Sequence, residues 1–192
     1  MLRIVFTVLI VVHGLIHTFG FLKAFDLVHF EGLSGSIAKP VGVMWGMTAC
    51  LFLLTAVLFG LKLDWWWITG FISFVISQAL IFSYWQDARF GTVLNVVILV
   101  GVILGFGAWN FDRRVQGEIE NILAGPSTAE GKVITEESVE KLPEPVRKWL
   151  ENVGVLGRER MRYVKLRQKG ELRLNPEQSW SKVKAEQYVD TV

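Results

Sequence analysis

Four uninterrupted apolar stretches occupy the first ~110 residues, and they constrain this chain more than any other feature. They run Leu2 to Leu22, Pro40 to Leu61, Trp65 to Trp85 and Gly91 to Phe111. Each is close to the ~20 residues that a helix needs to cross a hydrocarbon core. The charge distribution agrees. Up to Phe111 there are five basic residues (Arg3, Lys23, Lys39, Lys62, Arg89) and four acidic ones (Asp26, Glu31, Asp64, Asp87), whereas the remaining 81 residues hold the other 15 basic and 14 acidic ones. The expected fold is therefore an all-α membrane domain, a four-helix transmembrane bundle over 1–111, then a connecting amphipathic helix and linker over 112–134. A small α+β domain then begins at 135–192.

Several local signals support the four segments. Arg3 precedes an apolar stretch as in a signal peptide, but His13-Gly14-Leu15-Ile16-His17 offers no small-residue cleavage site, so the first segment is expected to be retained. Pro40 suits a first helical turn, where its missing N–H costs nothing. Trp65, Trp66, Trp67, Trp85 and Trp109 fall near segment ends, as an interfacial aromatic belt requires. Gly42-x-x-x-Gly46, Ser73-x-x-x-Ser77 and Gly101-x-x-x-Gly105 are small-residue patterns that allow helices to approach closely.

Orientation follows from the basic residues at the segment ends. An inside N-terminus puts Arg3, Lys62, Arg113 and Arg114 on the cytoplasmic side against Lys23, Lys39 and Arg89 opposite, four against three, which favours both termini in the cytoplasm.

Ionisable and amide side chains are costly inside a bilayer and mark bundle interiors or cavities. Here they are His13, His17, Gln78, Asp87 and Asn95, all toward one membrane face, with Tyr84 nearby and with Asp26, His29 and Glu31 on the adjoining loop. His13 and His17, four residues apart, share a helix face at roughly 6 Å along the axis. A divalent metal held by His13, His17 and His29 is one reading, since imidazole and carboxylate are ordinary zinc ligands where thiolates are lacking. Haem is a second, but two histidines on one side of one helix cannot ligate iron from opposite faces, so only one would serve. Quinone-head hydrogen bonding or proton transfer is a third. The plainest alternative is interhelical hydrogen bonding with no cofactor at all.

Beyond Phe111, Val115, Ile119, Ile122 and Leu123 recur at helical spacing until Gly125-Pro126. Ser127 to Lys132 reads as a polar linker, Thr135-Glu136-Glu137-Ser138 as a helix start, and Pro145 as the opening of a helix that Gly154 ends. From Val164 to Leu174 apolar and charged residues alternate, predicting a half-buried strand; Asn175-Pro176 turns the chain, and Trp180 to Val189 supplies the return. Arg160, Arg162, Lys165, Arg167 and Lys169 form a basic stripe suited to anionic lipid headgroups. The net charge of +2 and the lack of an aromatic binding module argue against nucleic acid. Cys50 is the single cysteine, which excludes an internal disulfide or a thiolate zinc site. No nucleophile elbow, P-loop or dinucleotide fingerprint occurs.

The run Leu142-Pro143-Glu144-Pro145-Val146-Arg147-Lys148-Trp149-Leu150, the strand Leu166-Arg167-Gln168-Lys169-Gly170-Glu171-Leu172-Arg173, and Trp180 with Ala185-Glu186-Gln187 resemble an uncharacterised bacterial membrane-protein family, a domain of unknown function. The His-Gly-Leu-Ile-His first helix and the Asp87 to Thr92 turn are similar to it as well. The resemblance implies a few N-terminal spans, in the inner membrane of a bacterial cell, carrying a larger β-rich domain, which this chain would contain only in part. It brings no catalytic residues. The functional expectation is a non-enzymatic membrane scaffold, or a membrane-anchored protein binding lipid, envelope material or a protein partner. The alternative is a metal, haem or quinone site around His13 and His17.

Overall fold

The computed structural model describes residues 1–28, 35–125 and 128–191. His29 and Glu31, named above as possible ligand and loop acid, lie outside them. The chain divides into two units, Met1–Asp112 and Arg113–Val192.

The first unit contains α1 (Leu2–Ala24), α2 (Lys39–Gly60), α3 (Trp66–Ser83), the short α4 (Trp85–Ala88) and the start of α5 (Gly91–Leu123). α1, α2, α3 and α5 are long and apolar enough to cross a membrane. No more than 39% of any of these apolar windows is buried inside the protein, so most of their apolar surface faces outward. The buried side is built by residues at helical spacing: Ile10, Phe52, Ala56, Ile98 and Val102 form one core cluster, and Ala24, Ile37, Trp45 and Leu80 another. Small residues set the closest approaches. A Cβ on Gly42 would run into Ala24, and one on Gly14 would lie 2.9 Å from the Phe52 Cβ. Gly101 and Gly105 act differently from the helix-to-helix contact expected of them, for their bare backbone receives the rings of Phe6 and Trp66.

Pro40 sits in the first turn of α2, as its chemistry predicts. The helix that contains the fourth apolar segment runs on past Asp112-Arg113-Arg114 into the expected connecting helix. α5 continues unbroken to Leu123, because charged side chains end a membrane crossing but do not break a helix, whereas Gly125 follows directly after its last turn.

In the second unit, β1 (Thr128–Val133) pairs antiparallel with β2 (Glu159–Met161), and β3 (Tyr163–Leu172) with β4 (Ser181–Asp190). The stretch read as a linker at 127–132 is thus mostly strand. Thr-Ala-Glu-Gly-Lys-Val carries no alternation to announce it, and pairing with β2 decides the outcome. α6 (Glu136–Val139) starts at a capping box in which Thr135 and Ser138 bond each other's backbone N–H. α7 (Glu144–Asn152) ends before Gly154, whose φ of +68° is the left-handed cap that glycine accommodates. The β3–β4 hairpin has the expected register, from Tyr163 opposite Asp190 to Leu172 opposite Ser181. It is not half-buried: beyond Val164 both faces of β3 are exposed, since no layer of the described residues covers either one.

Candidate functional site

The polar residues of the first unit meet between α1, α3 and α5. α1 carries His13 and His17 on its inner face, where they are 1% and 2% exposed, with ring centroids 4.8 Å apart. From α3 come Ser77 and Gln78, and from α5 Thr92 and Asn95; Ser77 and Asn95 are fully buried.

The bonds run as a directed chain. Gln78 Nε2 donates to Thr92 Oγ1 at 3.2 Å, and Asn95 Nδ2 donates to Gln78 Oε1 at 3.0 Å and to Ser77 Oγ at 3.0 Å. Asn95 Oδ1 therefore points away from them and accepts from His13 Nε2–H at 2.8 Å. His17 Nδ1–H donates to the His13 carbonyl at 3.0 Å, so in the neutral ring Nε2 is the acceptor, and Ser77 Oγ lies 2.9 Å from it. Ser77 Oγ is also 3.1 Å from Asn95 Oδ1, but it has one proton to give. That proton goes to His17 Nε2, which has no other donor among the described residues, whereas Oδ1 already accepts from His13.

Three of the four ring nitrogens are thus engaged. The fourth, His13 Nδ1, is buried with no partner, and in the neutral ring with Nε2 protonated it presents a lone pair. Trp45 Nε1–H, from α2, is likewise buried without an acceptor. Both side chains line one cavity of about 280 Å³, together with His17, Gly20, Asp87 and Gly91. A Cβ on Gly20 would run into the Trp45 indole, so glycine there lets the ring lie flat on α1. Phe52 packs edge-on against the His13 ring, centroid to centroid 4.9 Å.

Of the sequence candidates, His13, His17, Gln78 and Asn95 are joined in this network, and Asp87 lines the adjoining cavity from α4. Among the described residues no three of His, Cys, Asp and Glu come together as metal ligands. A metal between the two rings would displace Ser77 or Asn95 from nitrogens that they already serve. Sequence reasoning missed Trp45, Thr92 and the polar role of Ser77. Trp45 is the one tryptophan of the four apolar segments lying well inside a segment, away from any belt, and that was its available signal.

The basic stripe lies in the second unit. Lys165, Arg167 and Lys169 share one face of β3, Arg160 is on β2, and Arg162 stands between the two strands. Much of its charge is committed. Lys165 Nζ lies 2.6 Å from Glu186 Oε1 and bonds the Tyr188 hydroxyl, Arg167 Nε is 3.5 Å from Glu186 Oε2, and Arg160 donates to the Thr191 carbonyl. The bonds from Lys165 and then from Tyr188 hold the Glu186 carboxyl down at about 2, and the Glu186 carboxylate raises Lys165. Lys169 instead faces Lys184 directly across the ladder.

Residues 132–191 match the model of a family of unknown function, DUF6544. No curated protein and no solved structure matches the chain.

Proposed function

We propose that this chain is a multi-pass membrane protein whose bundle binds the oxygen-bearing head of a small lipid-soluble molecule in the cavity beside His13. The carrying observation is that two side chains lining the same cavity each carry an unpartnered buried group, an acceptor at His13 Nδ1 and a donor at Trp45 Nε1. Buried polar atoms of this kind cost about 1–3 kcal/mol each when left unpaired, so a ligand that pairs both is favoured. A hydroxyl that reached both would meet the requirement alone, donating to His13 Nδ1 and accepting from Trp45 Nε1–H. The volume of about 280 Å³ suits a single ring or headgroup. A quinol, apolar apart from its hydroxyls, is the ligand class that fits both the wall and a membrane setting.

The membrane reading is supported by the four apolar helices, whose outward surface would be unstable against water, and the weak charge bias favours both termini in the cytoplasm. The scaffold role expected of the second unit has less support, because Glu186 already occupies two of the stripe's five cations.

Binding of a short-chain benzoquinol to the detergent-purified full chain, followed by calorimetry, tests the site. Wild type should bind it in preference to an alkane of equal length. Trp45→Phe, which removes only the donor and keeps an aromatic ring, should weaken binding about fivefold, the value of one hydrogen bond near 1 kcal/mol. No binding by wild type would leave His13 and His17 as interhelical hydrogen-bond partners only. Metal in the purified protein, or a visible absorption band lost in His17→Ala, would favour the metal or haem reading instead.

A further inference from the structure

A second cavity opens at the other end of the bundle, where α1 and α3 begin and α2 ends. It has a volume of about 720 Å³ and is almost wholly apolar. Its floor is an aromatic cluster in which Phe59 lies 4.8 Å from Trp66 and 5.2 Å from Phe6, centroid to centroid. Gly101 and Gly105 admit these rings against α5, and the hollow then runs along α5 from Gly105 to Val97. Eight residues of helix span about 12 Å. That is far longer than a headgroup and matches the upper part of one acyl chain.

The mouth is charged. Arg3 donates from one Nη to the carbonyls of Phe59 and Gly60, capping α2, and its guanidinium lies 5.2 Å over the Phe59 ring, with no hydrogen bond from Nε or the other Nη among the described residues. Lys62 follows α2 in a left-handed turn, at φ 63°, and its ammonium has no partner among the described residues. Asp64 is the single acid of the rim, and no ion pair among the described residues ties it to either cation.

We propose that this groove holds one acyl chain of an anionic phospholipid, with its phosphate between Arg3 and Lys62. An apolar hollow facing lipid that stayed empty would forfeit dispersion contacts along its whole wall, and water finds no hydrogen-bond partners on that wall. An acyl chain fills it, and two partly unsatisfied cations at the depth where a headgroup sits select a phosphodiester with net negative charge. The inference rests on the membrane reading, not on the quinol site. Recovery of the chain from membranes by detergent but not by alkaline salt wash tests that reading by itself.

The closing experiment is native mass spectrometry of the detergent-solubilised full chain with phosphatidylglycerol and phosphatidylcholine of matched acyl chains. Wild type should retain one phosphatidylglycerol in preference to phosphatidylcholine. Lys62→Gln should lower that preference about fivefold, the value of one basic side chain near a headgroup, without touching the α2 cap. Arg3→Gln with Lys62→Gln should abolish it, and Leu104→Trp, which fills the groove, should reduce retention of both lipids. Equal retention of the two lipids by wild type would overturn the proposal. So would a preference that survives the double substitution, one lost instead in Arg160→Gln with Arg162→Gln, or one displaced by millimolar inorganic phosphate, which would mark a free-anion site.

Discussion

Residues 1–112 turn their apolar side chains outward and gather their polar ones inside, whereas the β3–β4 ribbon of residues 163–190 exposes both. In the first unit a hydrogen bond between helices has no water to compete with it, so each polar side chain selects its neighbour. His13 finds Asn95, His17 finds Ser77, and Gln78 finds Thr92. In the ribbon every charged group remains in water, and the cross-strand pairs add small increments to a backbone ladder. Polar side chains therefore specify structure in one place and decorate it in the other.

The sharpest way to break that contrast is Asn95→Leu, which removes the 2.8 Å acceptor of His13 Nε2–H and the donor to Gln78 Oε1 and Ser77 Oγ in the bundle interior. It should cost about 2–3 kcal/mol in denaturant unfolding of the detergent-solubilised protein, because stranded buried polar groups keep their full desolvation penalty. A loss no greater than that of a surface substitution would show that the network contributes little. A smaller effect of opposite sign is expected in the ribbon. Lys169→Glu replaces a like-charged pair with Lys184 by an opposite one and should slow amide exchange of the facing residues, a gain of about 0.2–1 kcal/mol.

The smallest effect is the pH response of Glu186. Its carboxyl is held at about 2, below the ordinary value of 4.5, so the pairing with Lys165 is fully present above pH 4.5 and is lost as pH falls toward 2. Lys165 is shifted the other way, upward from 10.5, so its share is complete below that pH and disappears as the solution becomes more alkaline. Exchange at Lys165 and Tyr188 should therefore be flat from pH 5 to 8 after correction for intrinsic rates, and should accelerate below about pH 4. Acceleration beginning near pH 6 would point to a different titrating group.

Legibility in the sequence followed the solvent. The four apolar helices were readable because a hydrocarbon environment permits few alternatives to a ~20-residue apolar helix. His13, His17, Gln78 and Asn95 were readable as a group because such side chains are rare among apolar neighbours. Ser77 and Thr92 were not, since hydroxyls occur throughout apolar helices and usually bond their own backbone, as Thr48 does with the Met44 carbonyl. The cavity was not legible at all, because it depends on where Trp45 lies against Gly20, a contact between two helices. In the second unit the alternation from Val164 to Leu174 predicted β3, while β1 went unseen: its six residues are shaped by a partner about 30 positions away.

The pairing of His13 with Asn95 also has a consequence for biogenesis, since the two residues are 82 positions apart. At roughly 5–20 residues per second, translation delivers Asn95 about 4–16 s after His13. Through that interval a nascent first helix holds two imidazoles whose interhelical partners do not yet exist, with only the His17 bond to the His13 carbonyl made within α1. If the four helices cross a membrane, the first would enter it with these imidazoles unpaired and would complete its bonds only on arrival of the fourth.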